Sequence, residues 1–130
     1  MRAACEQGAP FDGVLGFSNG AAAAAVLLSE LHGAGGVPAP RFAILCAGFL
    51  PPALVGAPRL PIASLHVVGR NDKRVPLEQA RQLQGLFVEP EELLHEREHL
   101  VPQRSPETEA VASWLSAWSA SQRPASRGPG

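Results

Sequence analysis

Gly16-Phe17-Ser18-Asn19-Gly20 has the G-x-S-x-G spacing of a nucleophile elbow, a serine set on a sharp turn between a strand and a helix. Each residue type has a physical reason. A serine in that turn takes strained backbone angles that push its oxygen into the open. Glycines two before and two after it spare the crossing strand and helix a side-chain collision. The backbone N–H of Asn19, at the start of the helix, then faces a developing oxyanion. The bland alternative is a serine that only caps a helix at a tight turn.

An elbow serine needs a base and an orienting acid, in the chain order Ser, Asp/Glu, His. The sequence holds two aspartates, Asp12 and Asp72, and four histidines, His32, His66, His95 and His99. Asp12 precedes the serine, on the wrong side of it. Asp72 follows a predicted strand, at the carboxyl end where ligand-side groups of parallel sheets collect. His32 falls at a helix terminus and reads as a capping residue. His66 falls mid-strand and reads as a satisfied core histidine. His99 follows another predicted strand and precedes Pro102. The expected set is therefore Ser18, Asp72 and His99, with the Asn19 N–H as oxyanion donor.

The elements that must position these residues are short, because thirteen Gly and thirteen Pro punctuate the chain. Phe11 to Phe17 predicts a buried strand, and the Ala/Leu-rich stretch from Asn19 to Leu31 a helix stopped by Gly33-Ala34-Gly35-Gly36. Arg41 to Phe49 predicts a strand buried on both faces. Pro51 to Leu60 reads as a loop, and Ile62 to Val68 as a third strand turned by Gly69-Arg70-Asn71-Asp72. Pro76 suits a first helical residue, with Leu77, Ala80, Leu83, Leu86 and Phe87 at helical spacing. Glu92 to Glu96 predicts a shorter strand. Ser105-Pro106-Glu107 opens a last helix with a capping Ser and an N1 Pro, and Val111, Trp114, Leu115 and Trp118 form its apolar side. Alternating strands and helices predict an α/β fold, a parallel sheet of about four strands with helices on both faces.

Composition narrows the partners. At 130 residues the chain suits one domain, read as 1–120, with a small, polar, Pro/Gly-rich tail at 121–130 expected to be disordered. Eleven Lys+Arg against twelve Asp+Glu leave no basic excess for a nucleic-acid groove or a polybasic membrane patch. The apolar run from Ala21 to Leu28 is far short of the ~20 residues that span a bilayer. No charged n-region followed by an apolar h-region opens the chain, so the expectation is a cytoplasmic protein, extending to the nucleus. Cys5 and Cys46 make neither a disulfide framework nor a zinc knuckle. Cys46 reads as a buried structural thiol, and Trp114 and Trp118 as core rather than an aromatic cage. Arg70, Lys73 and Arg74 read as a solvated loop that could favour an acidic substrate.

Three segments together resemble the FSH family of serine hydrolases, members of the α/β-hydrolase superfamily. P-F-D-G-V-L-G-F-S-N-G-A-A-A-A at 10–24 is similar to the family's P-F-D-G-x-x-G-F-S-Q-G-A-A segment. S-L-H-V-V-G-R-N-D-K-R-V-P at 64–76 resembles its G-x-x-D-x-x-V-P acid loop, and H-E-R-E-H-L-V-P at 95–102 its H-x-G-G-H-x-V-P histidine loop. The resemblance implies a partial α/β-hydrolase fold. It implies cleavage of a small acyl ester or thioester through an acyl-enzyme, with Ser18 as nucleophile, His99 as general base and Asp72 as orienting acid, and with no cofactor and no metal.

Three departures from the family pattern stand out. Asn19 replaces Gln, which leaves the backbone N–H in place. Arg97-Glu98 replaces Gly-Gly before His99. If those positions need left-handed angles, each costs about 1–2 kcal/mol and displaces the imidazole. Only nine residues precede Pro10, where the family has a substantial N-terminal half with the first strands and a second oxyanion donor. The chain thus reads as the C-terminal part of a hydrolase, with an open sheet edge along Phe11–Phe17 that invites self-association. The alternative function is a non-catalytic hydrolase-fold fragment associating through that edge.

His95-Glu96-Arg97-Glu98-His99 also fits H-E-x-x-H, in which two histidines bind zinc and the glutamate is a base. That reading requires a helix with both rings on one face. Pro90 and Pro102 bracket a segment of scarcely three turns, no histidine follows His99, and both histidines are already implied by the histidine loop. Zinc is the weaker reading.

Overall fold

The computed structural model describes residues 12–34 and 39–122. Strands β1 (Gly13–Phe17), β2 (Phe42–Cys46), β3 (Ala63–Gly69) and β4 (Pro90–His95) form one sheet in that order, every neighbouring pair parallel. The connections carry helices α1 (Asn19–Ala34) and α2 (Leu77–Gln84), and α3 (Glu107–Ser121) follows β4. The alternation of strand and helix thus yields the expected parallel sheet. Because the strands run the same way, the chain leaves β1, β3 and β4 at one end of the sheet, and Ser18, Asp72 and His99 follow those three ends.

Hydrophobic patterning decides the layers. Ala21, Ala24, Ala25 and Leu28 of α1 and Leu83 of α2 pack on Val14, Ala43 and Leu45 of the sheet and on Phe87. The small alanines let α1 lie close to the strands. On the other face Ile44, Cys46, Leu65 and Val67 are covered by Val111, Trp114 and Leu115 of α3. β2 and β3 are therefore buried on both sides, as their continuous apolar runs require. No residue of α3 is fully buried, and its cover stops short of β1, where Leu15 is 56% and Phe17 37% exposed.

Several boundaries differ from the sequence expectation. α1 continues through Gly33 to Ala34, while Gly35 and Gly36 lie outside the described residues, as do Phe11, Cys5 and 123–130. β2 stops at Cys46 because Ala47 turns to φ 53°, its N–H donating to the Val67 carbonyl at 2.9 Å. Pro76 is the N-cap of α2 rather than its first helical residue, and Gly85 ends that helix. Leu86 and Phe87 are buried beyond it, where Leu60 makes a parallel bridge to Phe87. β4 begins at Pro90, two residues before the expected start. Ser105 does not cap α3: its hydroxyl donates to Glu109 Oε2 at 2.6 Å, and Pro106 precedes the first helical residue. Ser121 still belongs to α3. No helix among the described residues is long and apolar enough to cross a membrane.

Candidate active site

Ser18 is the single residue between β1 and α1 and sits at φ 55°, a left-handed angle that a non-glycine residue holds only at a cost on the order of 1 kcal/mol. Its surroundings enforce it. The Ser18 N–H donates to the Cys46 carbonyl at 2.9 Å, and its own carbonyl accepts from the N–H groups of Ala21 and Ala22 at 3.0 and 3.2 Å. Gly16 is needed here, since a Cβ on it would stand 2.7 Å from the Ala21 Cα and the Gly20 carbonyl oxygen. Gly20 is not. A Cβ there would meet nothing within 4 Å, which corrects the expectation that both glycines relieve a collision.

Asp72 lies in the loop after β3 and is only 7% exposed. Its Oδ1 accepts the backbone N–H groups of Arg74 and Val75, both at 2.9 Å, which fixes the carboxylate plane. Its Oδ2 accepts from His99 Nδ1 at 2.7 Å. Burial on its own pushes the carboxyl upward. The Val75 N–H, the His99 ring and the Arg74 N–H outweigh it and hold the group below the usual carboxylate range. His99 Nε2 in turn lies 2.8 Å from Ser18 Oγ, and the Phe17 ring lies 5.0 Å from the imidazole. The three residues expected from the sequence are thus brought into one hydrogen-bonded chain.

The loop carrying His99 is pinned at several points. Arg70 N–H donates to the His95 carbonyl and Asn71 N–H to the Arg97 carbonyl. Among the described non-glycine residues, positive φ occurs at Ser18 and Ala47 alone. Arg97 and Glu98 therefore need no left-handed angles, and their replacement of Gly-Gly leaves the imidazole in reach of Ser18.

The other sequence candidates have different places. His66 is buried in β3, its Nε2 2.9 Å from Ser64 Oγ and its ring edge-on to Phe87. Burial pushes its pKa down to about 4, against a smaller opposing pull from Glu92. His32 is exposed in the last turn of α1. Asp12 pairs with Arg41 on the surface at 2.9 Å. Cys46 is buried, its thiol pushed up to about 11 by desolvation. Trp114 packs on the sheet and donates to Glu91 Oε2 at 2.7 Å, while Trp118 lies against Phe42 at 4.6 Å.

The zinc spacing does not form a site. His95 ends β4 and His99 lies in the loop beyond, so the two rings share no helix face. Both His99 nitrogens are engaged by Asp72 and Ser18, and His95 Nδ1 accepts the Arg97 N–H.

Ser18 opens into a cleft of about 620 Å³ lined by Phe17, Asn19, Arg74, Glu98 and His99. Of the three loop cations, Arg74 lines the cleft, Arg70 is paired with Glu96 at 3.0 Å, and Lys73 is exposed. A larger groove of about 930 Å³ lies at the opposite end of the strands, beside Arg41, Ala63 and Pro90. Asn19 is the first residue of α1, where an N–H has no intrahelical partner and points at the cleft end of the helix. The arrangement can transfer a proton from a serine hydroxyl to an imidazole while a buried carboxylate holds the ring. Sequence reasoning missed Phe17 and the two N–H groups on Asp72. The signals were present in G-F-S and in G-x-x-D-x-x-V-P, but they read as spacing rather than as contacts.

Comparison with known proteins gives the family and the fold. Residues 1–111 match the family model described as serine hydrolase (FSH1). The chain is 40% identical to the esterase OVCA2 of Bos taurus over 116 residues, covering 82% of this chain and 49% of that protein. It is 34% identical to the esterase C25G4.2 of Caenorhabditis elegans, covering 85% and 53%. Among solved structures it resembles the Zea mays acyl-protein thioesterase 2, with a TM-score of 0.60 and 25% identity over 81% of this chain and 55% of that one. The Bacillus cereus carboxylesterase shares the fold, with a TM-score of 0.66 and 24% identity over 89% of this chain and 55% of that one. The chain spans about half the length of the curated relatives it matches. With the family model covering most of its length and the elbow, acid and histidine segments all in place, the chain belongs to the FSH1 serine hydrolase family.

Proposed function

We propose that this chain hydrolyses carboxylic esters or thioesters through an acyl-enzyme on Ser18. Ser18 Oγ attacks the acyl carbon while its proton passes to His99 Nε2. The tetrahedral oxyanion takes the N–H of Asn19, and the positive end of α1 favours it. Collapse breaks the bond to the alcohol or thiol, which leaves with the proton from Nε2. Water then gives its proton to Nε2 as it attacks the acyl group, and the acid departs as Ser18 recovers its hydrogen. Asp72, kept ionised, accepts a hydrogen bond from the Nδ1–H group and so holds the ring with Nε2 free to act as base.

The observation that carries the reading is the unbroken contact chain from Ser18 through His99 to Asp72, at 2.8 and 2.7 Å. A fluorophosphonate probe tests it. Labelling at Ser18 that disappears in Ser18→Ala supports the enzyme, and a folded chain that takes no label overturns it. Hydrolysis of matched p-nitrophenyl and thiol esters then separates the two substrate classes.

A second reading rests on β1. It is the last strand on its side of the described sheet, and Leu15 and Phe17 face outward on the side that α3 leaves uncovered. An open strand edge beside exposed apolar side chains favours pairing with a second copy of the chain. A chain that associates but takes no probe would support this reading alone.

A further inference from the structure

We infer that His95 is a positioning residue for His99, holding the histidine loop by accepting the backbone N–H of Arg97. This rests on the proposed reaction at Ser18. His95 ends β4, is 3% exposed, and its Nδ1 lies 3.1 Å from Arg97 N. Accepting that N–H requires a lone pair on Nδ1, so the ring is neutral with its proton on Nε2. Burial favours this neutral form and lowers the pKa. Arg97 adds to the lowering, while Glu107, Asp72 and Glu96 oppose it.

The contact matters because of where the loop must travel. β4 is three strands from β1, so at ~4.8 Å per strand the chain crosses roughly 14 Å to bring His99 over Ser18. It does so across the end of β3. Arg97 is the first residue past His95 to be held on both backbone sides, its N–H by the His95 ring and its carbonyl by the Asn71 N–H. Its guanidinium reaches α3, with Nη2 3.2 Å from Glu107 Oε1. Two residues later comes His99. His95 thus fixes the loop at Arg97 by a specific hydrogen bond.

Two variants separate bulk from hydrogen bonding. His95→Leu fills the space and accepts nothing, whereas His95→Asn loses volume but keeps an acceptor near Nδ1. With esters turned over by the full chain, His95→Leu is expected to lose about 10²-fold in kcat with little change in KM, the scale of a base misplaced by about 1 Å. His95→Asn is expected to recover most of that loss. Amide exchange at Arg97, followed by NMR, should be slow in the unaltered chain and His95→Asn and fast in His95→Leu. The inference is overturned if folded His95→Leu matches His95→Asn in kcat, or if the Arg97 amide stays protected in His95→Leu. The exchange measurement reads the contact even if Ser18 takes no probe, so failure of the proposed reaction and failure of the His95 role give different results.

Discussion

Gly69, the last residue of β3, lies directly under Arg97: a Cβ on it would stand 2.6 Å from the Arg97 carbonyl oxygen and 2.7 Å from that of Glu98. The histidine loop crosses the sheet at this point, and it can do so this closely only because Gly69 has no side chain. Gly69→Ala is expected to lift the loop and draw His99 away from Ser18. A misplacement of about 1 Å corresponds to about a 10²-fold loss of kcat. Steady-state hydrolysis beside a thermal melt checks this, since a melt unchanged within error with full activity contradicts the crossing as described.

Ser18→Ala is expected to abolish probe labelling and turnover while the chain keeps its melting profile. Asp72→Asn retains the shape but no longer demands a proton on His99 Nδ1, so the ring can turn its hydrogen toward Ser18. A drop on the order of 10⁴-fold in kcat is expected. Asp72→Asn that hydrolyses esters at near the parent rate would remove Asp72 from the reaction.

The two elbow glycines should respond differently to alanine. Gly16→Ala forces its Cβ against the Ala21 backbone and is expected to cost about 1–3 kcal/mol by overpacking. Gly20→Ala meets no atom and sits in the first turn of α1, where it is expected to be neutral or to stabilise by up to about 1 kcal/mol. Urea midpoints for the two variants decide it, and equal losses would refute the assignment of steric need to Gly16.

Stability should fall on acidification well before the carboxylates titrate. His66 has its folded pKa lowered to about 4, so its contribution is complete above the ordinary value of 6.5 and drains away as pH falls toward 4. Over that window the unfolded chain binds a proton that the folded chain refuses, a loss of about 3 kcal/mol. His95, also lowered, acts in the same sense. Asp72, lowered as well, contributes above 3.8 and loses its share only below that. Urea midpoints between pH 7 and 4 should therefore decline, and decline less steeply in His66→Gln; an identical slope would exclude His66 as a source.

Leu15→Lys places a charge on the outward face of β1 without touching the elbow hydrogen bonds. If a second copy pairs there, light scattering should show the variant shifted toward monomer, with the melt unchanged. Equal masses for parent and variant at all concentrations would dismiss that association.

Much of the chemistry is legible along the chain because it depends on local backbone demands. G-x-S-x-G marks a turn between strand and helix, the order Ser18, Asp72, His99 follows from where carboxyl ends of strands fall, and apolar runs identify β2 and β3 as doubly covered. A strand's end, by contrast, depends on a partner elsewhere: β2 stops where Ala47 binds Val67, and Phe87, beyond the end of α2, bridges to Leu60.

The sequence by itself determined which residue types stand where strands give way to turns, and thus the identity of the three groups. Only the tertiary structure decided that they meet. His99 and Ser18 are 81 positions apart, and their contact needs the parallel register of four strands, the bare Cα of Gly69 and the anchored Arg97 between them. It also decided that Gly20 carries no steric duty and that Arg97-Glu98 fits without left-handed angles. The reason is one of range. Hydrophobic period and turn chemistry act over a few residues, while clearance and hydrogen-bond closure across a sheet are set by neighbours that sequence spacing does not reveal.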